Sequence, residues 1–313
     1  MGTRLNLPPG REIAWCVALL CLWLGVTVYF IGFRPEHLWL ATLLLILFFA
    51  TAPSRRLLVA LLPFLIFGIS YDWMNLLPNY KVNPVDVADV YNAEKSIFGI
   101  TEGGEVLTPN EYFARHTFGV ADFMSGIFYL CWVPLPILFG LWLYFKHQTV
   151  AYLHFAIVFL LVNLIGFSLY YVHPAAPPWY MPQYGAVAVP GTPGSVAGLG
   201  RFDEMTGLGI FNALYARNAN VFAAIPSLHS AYTLIAFIYS VRYRSPLAWR
   251  IVLGIVTVGI WFTAVYTSHH YLIDVCAGIL TALFGIALFE FVIMKIPSAQ
   301  RFIHRYAAYI SKP

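Results

Sequence analysis

Apolar residues in this chain run in unbroken blocks, not in the alternating or every-third-and-fourth patterns of elements with one wet face. Cut at charges, prolines and glycines, the blocks give eight segments: 13–33, 38–52, 57–77, 123–145, 150–172, 228–241, 251–265 and 271–294. A helix needs roughly 20 apolar residues to cross a bilayer, so these are read as spans, the second and sixth short. The fold predicted is all-α, a polytopic transmembrane bundle of about eight spans. Residues 1–56 form two N-terminal helices, 57–296 a six-helix core, and 297–313 a cytoplasmic tail.

The polar residues between spans fix an orientation. Six basic residues, Arg34, Lys81, Lys95, Arg115, Arg201 and Arg217, fall in the odd-numbered connections, and the other twelve on the opposite side. The positive-inside rule then puts both termini in the cytoplasm. Dropping the second segment would spoil this asymmetry at Arg55 and Arg56. Two exoplasmic connections, 78–122 and 173–222, are long and rich in Pro, Gly and aromatic residues, the type of loop that carries function. Within the first, Val87, Val90, Tyr91, Ile97 and Phe98 share one side of a helix over 85–100. It either lies flat on the membrane or packs over the outer helix ends.

Composition agrees with the pattern. Of 313 residues 60% are hydrophobic and 10% charged, against about a quarter charged in soluble domains. The first block is too long for a signal core and lacks the usual cleavage site, so it is read as retained. Cys16, Cys21, Cys131 and Cys276 sit inside apolar stretches without metal or redox spacing, and neither a disulfide nor a metal is expected. No cofactor is expected either, and no basic block suits nucleic acid.

Two stretches bring histidines to outer helix ends: Pro226-Ser227-Leu228-His229 and His269-His270-Tyr271-Leu272-Ile273-Asp274. His270 and Asp274 are four apart, which on a helix stacks them on one face with His269 about 100° away. A carboxylate on one imidazole nitrogen fixes the tautomer and makes the other nitrogen a better nucleophile or base. His229, from another helix, is placed to protonate a leaving oxygen, and Ser227 to donate to a phosphate. His173-Pro174 begins a third stretch, with Trp179 and Tyr180 at headgroup depth. Trp179 and Tyr180 serve equally as interface anchors, and a single membrane histidine equally as a link between helices. Asp72 and Asp122 read as interfacial hydrogen-bonding groups.

These stretches resemble the type 2 phosphatidic acid phosphatase superfamily, whose pattern is K-x6-R-P, P-S-G-H and S-R-x5-H-x3-D. The resemblance covers the last two-thirds of the chain. It implies that His270 is the nucleophile that becomes phosphorylated, that Asp274 orients it, and that His229 is the general acid and base, with no metal. The phosphate cradle differs: Gly166 stands for the lysine, His173-Pro174 for Arg-Pro, and Thr263 and Ala264 for Ser-Arg. What remains is similar to the inositol phosphorylceramide synthase branch, which carries P-x-A-P-P-W-Y, a serine-leucine-histidine motif and H-H-Y-x-x-D. That resemblance implies transfer of phosphoinositol from a glycerophospholipid to ceramide on the exoplasmic side. It makes His173, His269, Trp179, Tyr180 and Ser227 substrate-binding candidates. A phosphodiester carries one negative charge, for which Arg201, Arg217 or Arg115 is a candidate partner. A lipid phosphatase using water is a rival, and a lipid transporter coupling protons through the histidines a more distant one, since no broken helix is evident.

Overall fold

The computed structural model describes residues 8–216 and 220–311. Helices α1 (Gly10–Phe30) and α2 (Pro35–Ala50) are mostly bare of protein neighbours, as lipid-facing helices are, and α2 packs against the helix that follows it. The third span is a bent pair, α3 (Ala52–Ala60) and α4 (Leu62–Trp73), which meet at 53°. Pro63 at the start of α4 supplies no N–H to continue the ladder, and the chain kinks.

The first long loop is structured throughout. It holds α5 (Ala88–Phe98), a two-stranded hairpin of β1 (Ile100–Glu102) and β2 (Glu105–Leu107), and α6 (Pro109–Arg115). The hairpin is the one piece of sheet among the described residues beyond isolated bridges, and Gly103 and Gly104, both at positive φ, make its turn. Of the two placements open for 85–100, the observed one lies over the helix ends: Val87 and Val90 are buried while Ile97 is exposed.

The fourth span is again bent, α7 (Gly119–Leu130) and α8 (Pro134–Phe145) at 44°, with Pro134 opening the second half. Two spans are thus interrupted where the sequence shows continuous apolar runs. The second interruption places Trp132 against the site described below.

Helix α9 (Thr149–Val172) is the most enclosed span and packs against α4, α8, α13, α15 and α16. Phe155, Phe159 and Phe167 on it meet Phe64, Phe67 and Tyr232 in the main core. The second long loop carries α10 (Tyr180–Tyr184), α11 (Gly200–Thr206) and α12 (Ile210–Tyr215). Then come α13 (Leu228–Arg242), α14 (Leu247–Tyr266) and α15 (Leu272–Ala287). Through a π turn (Leu288–Val292) and a short 3-10 turn, α15 extends to a 24-residue span, Leu272–Lys295. With 15 residues, α13 is only about 22 Å long. Pro226 and Pro246 flank it, and it sits in the middle of the bundle, where a helix need not match the bilayer. An amphipathic helix, α16 (Pro297–Ile310), lies back along α3 and α9 through Ile303, Ala307 and Ile310.

Among the described residues four helices are long and apolar enough to span, six if each bent pair counts once, and α2 and α13 fill the two short positions. A helical membrane bundle is therefore the architecture.

Candidate active site

The site forms where α9 ends, α13 begins and α14 turns into α15. Tight packing brings these ends together. A Cβ on Gly278 would fall 2.0 Å from the Ser227 carbonyl oxygen and 2.2 Å from Ser230 Oγ, so only glycine lets α15 approach α13 this closely. Ser227 N donates to the Asp274 carbonyl at 2.9 Å, and Ser230 Oγ bonds the Ser227 and Val275 carbonyls.

Across this seam, His229 Nδ1 lies 3.0 Å from His270 Nε2. His270 Nδ1 faces two acceptors, the Ala224 carbonyl at 3.1 Å and Asp274 Oδ2 at 3.3 Å. Both neighbours accept, so Nδ1 carries the proton and Nε2 keeps its lone pair, which accepts from His229 Nδ1–H. The result is a chain, Asp274 to His270 to His229, in which the carboxylate braces one ring and the other ring covers the reactive nitrogen.

The His270–Asp274 contact does not arise from stacking along a helix. Residues 267–270 form a turn, Tyr271 is the N-cap of α15, and Asp274 is its third helical residue. Asp274 Oδ2 accepts from Tyr271 N at 2.9 Å, a first-turn position favoured for a carboxylate. The 100° separation of His269 therefore does not hold, and His269 faces the same chamber as His270.

Two residues that the sequence reading missed hold this turn from outside. Glu94 on α5 is fully buried and accepts from Leu272 N at 2.9 Å and Ile273 N at 3.0 Å, capping α15 from a different segment. Burial raises its carboxyl above the usual range, with the two backbone bonds opposing. Asn110 on α6 donates to the Val265 and His270 carbonyls at 2.8 and 2.9 Å. A signal for Asn110 existed: Thr108 and Glu111 form a capping box, the T-x-x-E pattern that starts a helix. Glu94 had none, because its partners are 178 and 179 residues away.

Two cavities meet at His229. A small chamber of about 90 Å³ has His229, His269, His270, Trp179 and Asn220 in its wall. A larger one of about 590 Å³ reaches from His229 past Trp132, Tyr232 and Phe167 to Arg34, Asp72 and Asn75. Tyr71, Tyr129, Tyr170 and Tyr215 border both. His229 packs between Tyr129, at 4.9 Å between ring centroids, and Trp132, at 4.5 Å. His269 bonds Thr267 Oγ1 at 2.9 Å and rests against Tyr215. Burial, and then the nearness of His270, push its pKa down to about 3, so its ring is neutral.

The remaining candidates are placed as follows. Ser227 is fully buried, its Oγ has no hydrogen-bond partner among the described residues, and it borders neither cavity. His173 is half exposed and pairs with Asp86 at 3.4 Å. Tyr180 is buried beneath the 187–189 turn, its hydroxyl bonded to Val187 O and Val189 N. Arg201 Nε donates to Asp122 Oδ1, which also accepts from Tyr266 OH at 2.9 Å. Arg115 pairs with Glu102 and Glu105 of the hairpin. Arg217 lies outside the described residues. Where the superfamily pattern has lysine, Gly166 leaves room for Leu228, which a Cβ would meet at 2.6 Å. Ala264 at the arginine position is fully buried, and its carbonyl accepts from both His269 N and His270 N. At Gly166 and Ala264 close packing takes the space that a lysine or arginine side chain would need.

Residues 105–288 match the PAP2 superfamily. The chain is 55% identical over 306 residues to a phosphoinositol dihydroceramide synthase of Bacteroides thetaiotaomicron, covering 97% of this chain and all of that protein. It is 28% identical over 187 residues to an inositol phosphorylceramide synthase of Candida albicans, covering 57% of this chain and 37% of that protein. To the inositol phosphorylceramide synthase catalytic subunit AUR1 of Saccharomyces cerevisiae it is 33% identical over 124 residues, 37% of this chain and 29% of that one. No solved structure shows a significant match.

Proposed function

Because this chain belongs to the PAP2 superfamily, in its inositol phosphorylceramide synthase branch, we propose that it moves phosphoinositol from a glycerophospholipid to a ceramide-type lipid alcohol. The observation that carries the mechanism is the contact between His229 and His270, with Asp274 behind it. His270 Nε2 attacks phosphorus, its ring held by Asp274 and the Ala224 carbonyl. His229, in its protonated form, gives a proton to the departing diacylglycerol oxygen. The phosphohistidine is then attacked by the lipid alcohol, whose proton returns to His229. At 3.0 Å the two nitrogens leave no room for phosphorus between them, so His229 leaves His270 when substrate binds.

A phosphodiester with one negative charge suits a site without the superfamily's cationic cradle. His269, Trp179 and Asn220 would border the headgroup in the small chamber. Residues 57–296 would make the catalytic core, with the site exoplasmic and both termini cytoplasmic, a reading that the charge asymmetry supports.

The test is the fate of inositol-labelled phosphatidylinositol with purified protein, with and without ceramide. Labelled sphingolipid that appears only when ceramide is present is the expected result. Soluble inositol phosphate released at equal rate without ceramide would make the protein a hydrolase instead.

A further inference from the structure

We infer that Asp72, with Arg34 and Asn75 beside it, recognises the amide and secondary hydroxyl of the lipid alcohol that accepts the head group. The inference rests on the transferase reading and adds what selects the acceptor.

The large cavity is bordered by His229 but not by His270. In a double displacement the departing and the arriving oxygen each lie opposite His270 Nε2, next to the group that handles their proton. Both lipids therefore occupy the large cavity, one after the other. Its walls are aromatic and aliphatic except for tyrosine hydroxyls, His229 and one polar corner made by Arg34, Asp72 and Asn75. Arg34 Nη1 donates to Asp72 Oδ1 at 3.2 Å, and His37 Nε2 lies 3.5 Å from Oδ2. Asn75 Nδ2 donates to the Asp72 carbonyl at 2.9 Å, holding the corner in place. A carboxylate offers about four acceptor positions and donates none. Asp72 therefore keeps acceptor capacity, and it is 25% exposed.

The two lipids differ in what they present there. Diacylglycerol has ester carbonyls, which accept, and no donor besides its reacting hydroxyl. A ceramide presents an amide N–H and a second hydroxyl, both donors. Beside Asp72, ester oxygens leave the carboxylate unmatched, while the amide and hydroxyl satisfy it. The corner thus favours exchange of diacylglycerol for ceramide before the second half-reaction. All three residues precede the segment that matches the superfamily, 105–288. The chemistry lies inside that segment and the choice of acceptor outside it.

The test uses the full-length protein in lipid nanodiscs with labelled phosphatidylinositol. Acceptors are ceramide, N-methylceramide, which has no N–H, and 3-deoxyceramide, which has no second hydroxyl. With wild type, kcat/KM should fall about 10- to 100-fold for each analogue, as expected for a hydrogen bond to a charged group. In Asp72→Asn the penalty for the analogues should shrink and KM for ceramide should rise. Single-turnover release of diacylglycerol without acceptor should change much less than transfer to ceramide does. Equal use of all three acceptors by wild type would overturn the assignment even if the variant fails to fold. So would a variant that slows both half-reactions alike. If wild type makes no ceramide-dependent product, the transferase reading itself fails.

Discussion

His270 has one nitrogen committed to a carbonyl and a carboxylate and the other to a second imidazole. Replacing it with alanine should abolish both transfer and any acid-labile phosphoenzyme. His229→Ala should slow transfer by about 10²- to 10⁴-fold, the usual contribution of a general acid–base group, while phosphoenzyme formed from a donor with a good leaving group survives. Trapping with radiolabelled donor checks both, and full activity of His270→Ala would refute the mechanism. His269 yields a pH prediction. Its folded pKa is about 3 and its unfolded value about 6.5, so the unfolded chain binds the proton first. The stability this contributes is complete above about pH 6.5 and is lost as pH falls towards 3. Between about pH 6.5 and pH 5, the Tm of wild type in detergent should drop more steeply than that of His269→Asn. Parallel curves would refute the burial argument. At this scale the sequence showed the H-x3-D spacing and the second histidine, because both are local strings. It did not show Tyr129 and Trp132 enclosing His229, since aromatic residues in a membrane chain are too common to stand out.

Between elements, a few contacts set the ring geometry. Glu94 accepts both leading N–H groups of α15, so Glu94→Ala leaves them unpaired and should cost about 1–3 kcal/mol. Glu94→Gln, which retains one acceptor oxygen, should fall in between, as thermal unfolding monitored beside transfer activity would show. Gly278→Ala should be more damaging to turnover than to substrate binding. Its Cβ pushes α13 from α15, and a displacement of about 1 Å can cost about 100-fold in rate. Gly25→Ala, with nothing within 4 Å of the added carbon, is the matching control. Apolar runs made every span legible, because lipid demands them. The bends at Pro63 and Pro134 and the hairpin at 100–107 were not read. A proline in an apolar run can start a helix as well as kink one, and a three-residue strand is too short to show alternation.

Over the whole molecule, the three site histidines, His229, His269 and His270, and the basic turns lie at opposite ends of the bundle. Lys146 and Arg244 follow the far ends of α8 and α13, Arg242 closes α13, and Arg250 lies in the first turn of α14. If the charge rule holds, cysteines placed at position 10 and position 311 should react with a membrane-impermeant maleimide only after cells are opened, and one at position 187 in intact cells. The proposed orientation rests on charge alone, while the depth and shape of the cavities were not legible, because they depend on loops folding over helix ends. The far end also holds a buried cluster at the π turn. Glu290 accepts from Tyr239 OH and Arg242 Nη2, each at 2.7 Å, with His154 at 3.4 Å. Helices α13 and α15 are thus tied at their base by Glu290 and at their top by the Ser227–Asp274 bond, so they cannot splay. On the proposed mechanism, parting the two imidazoles is then a rotamer change of His229 and not a sliding of spans. A disulfide stapling the middle of α13 to α15 should leave catalysis intact if only the ring moves, and should arrest it if the spans have to part.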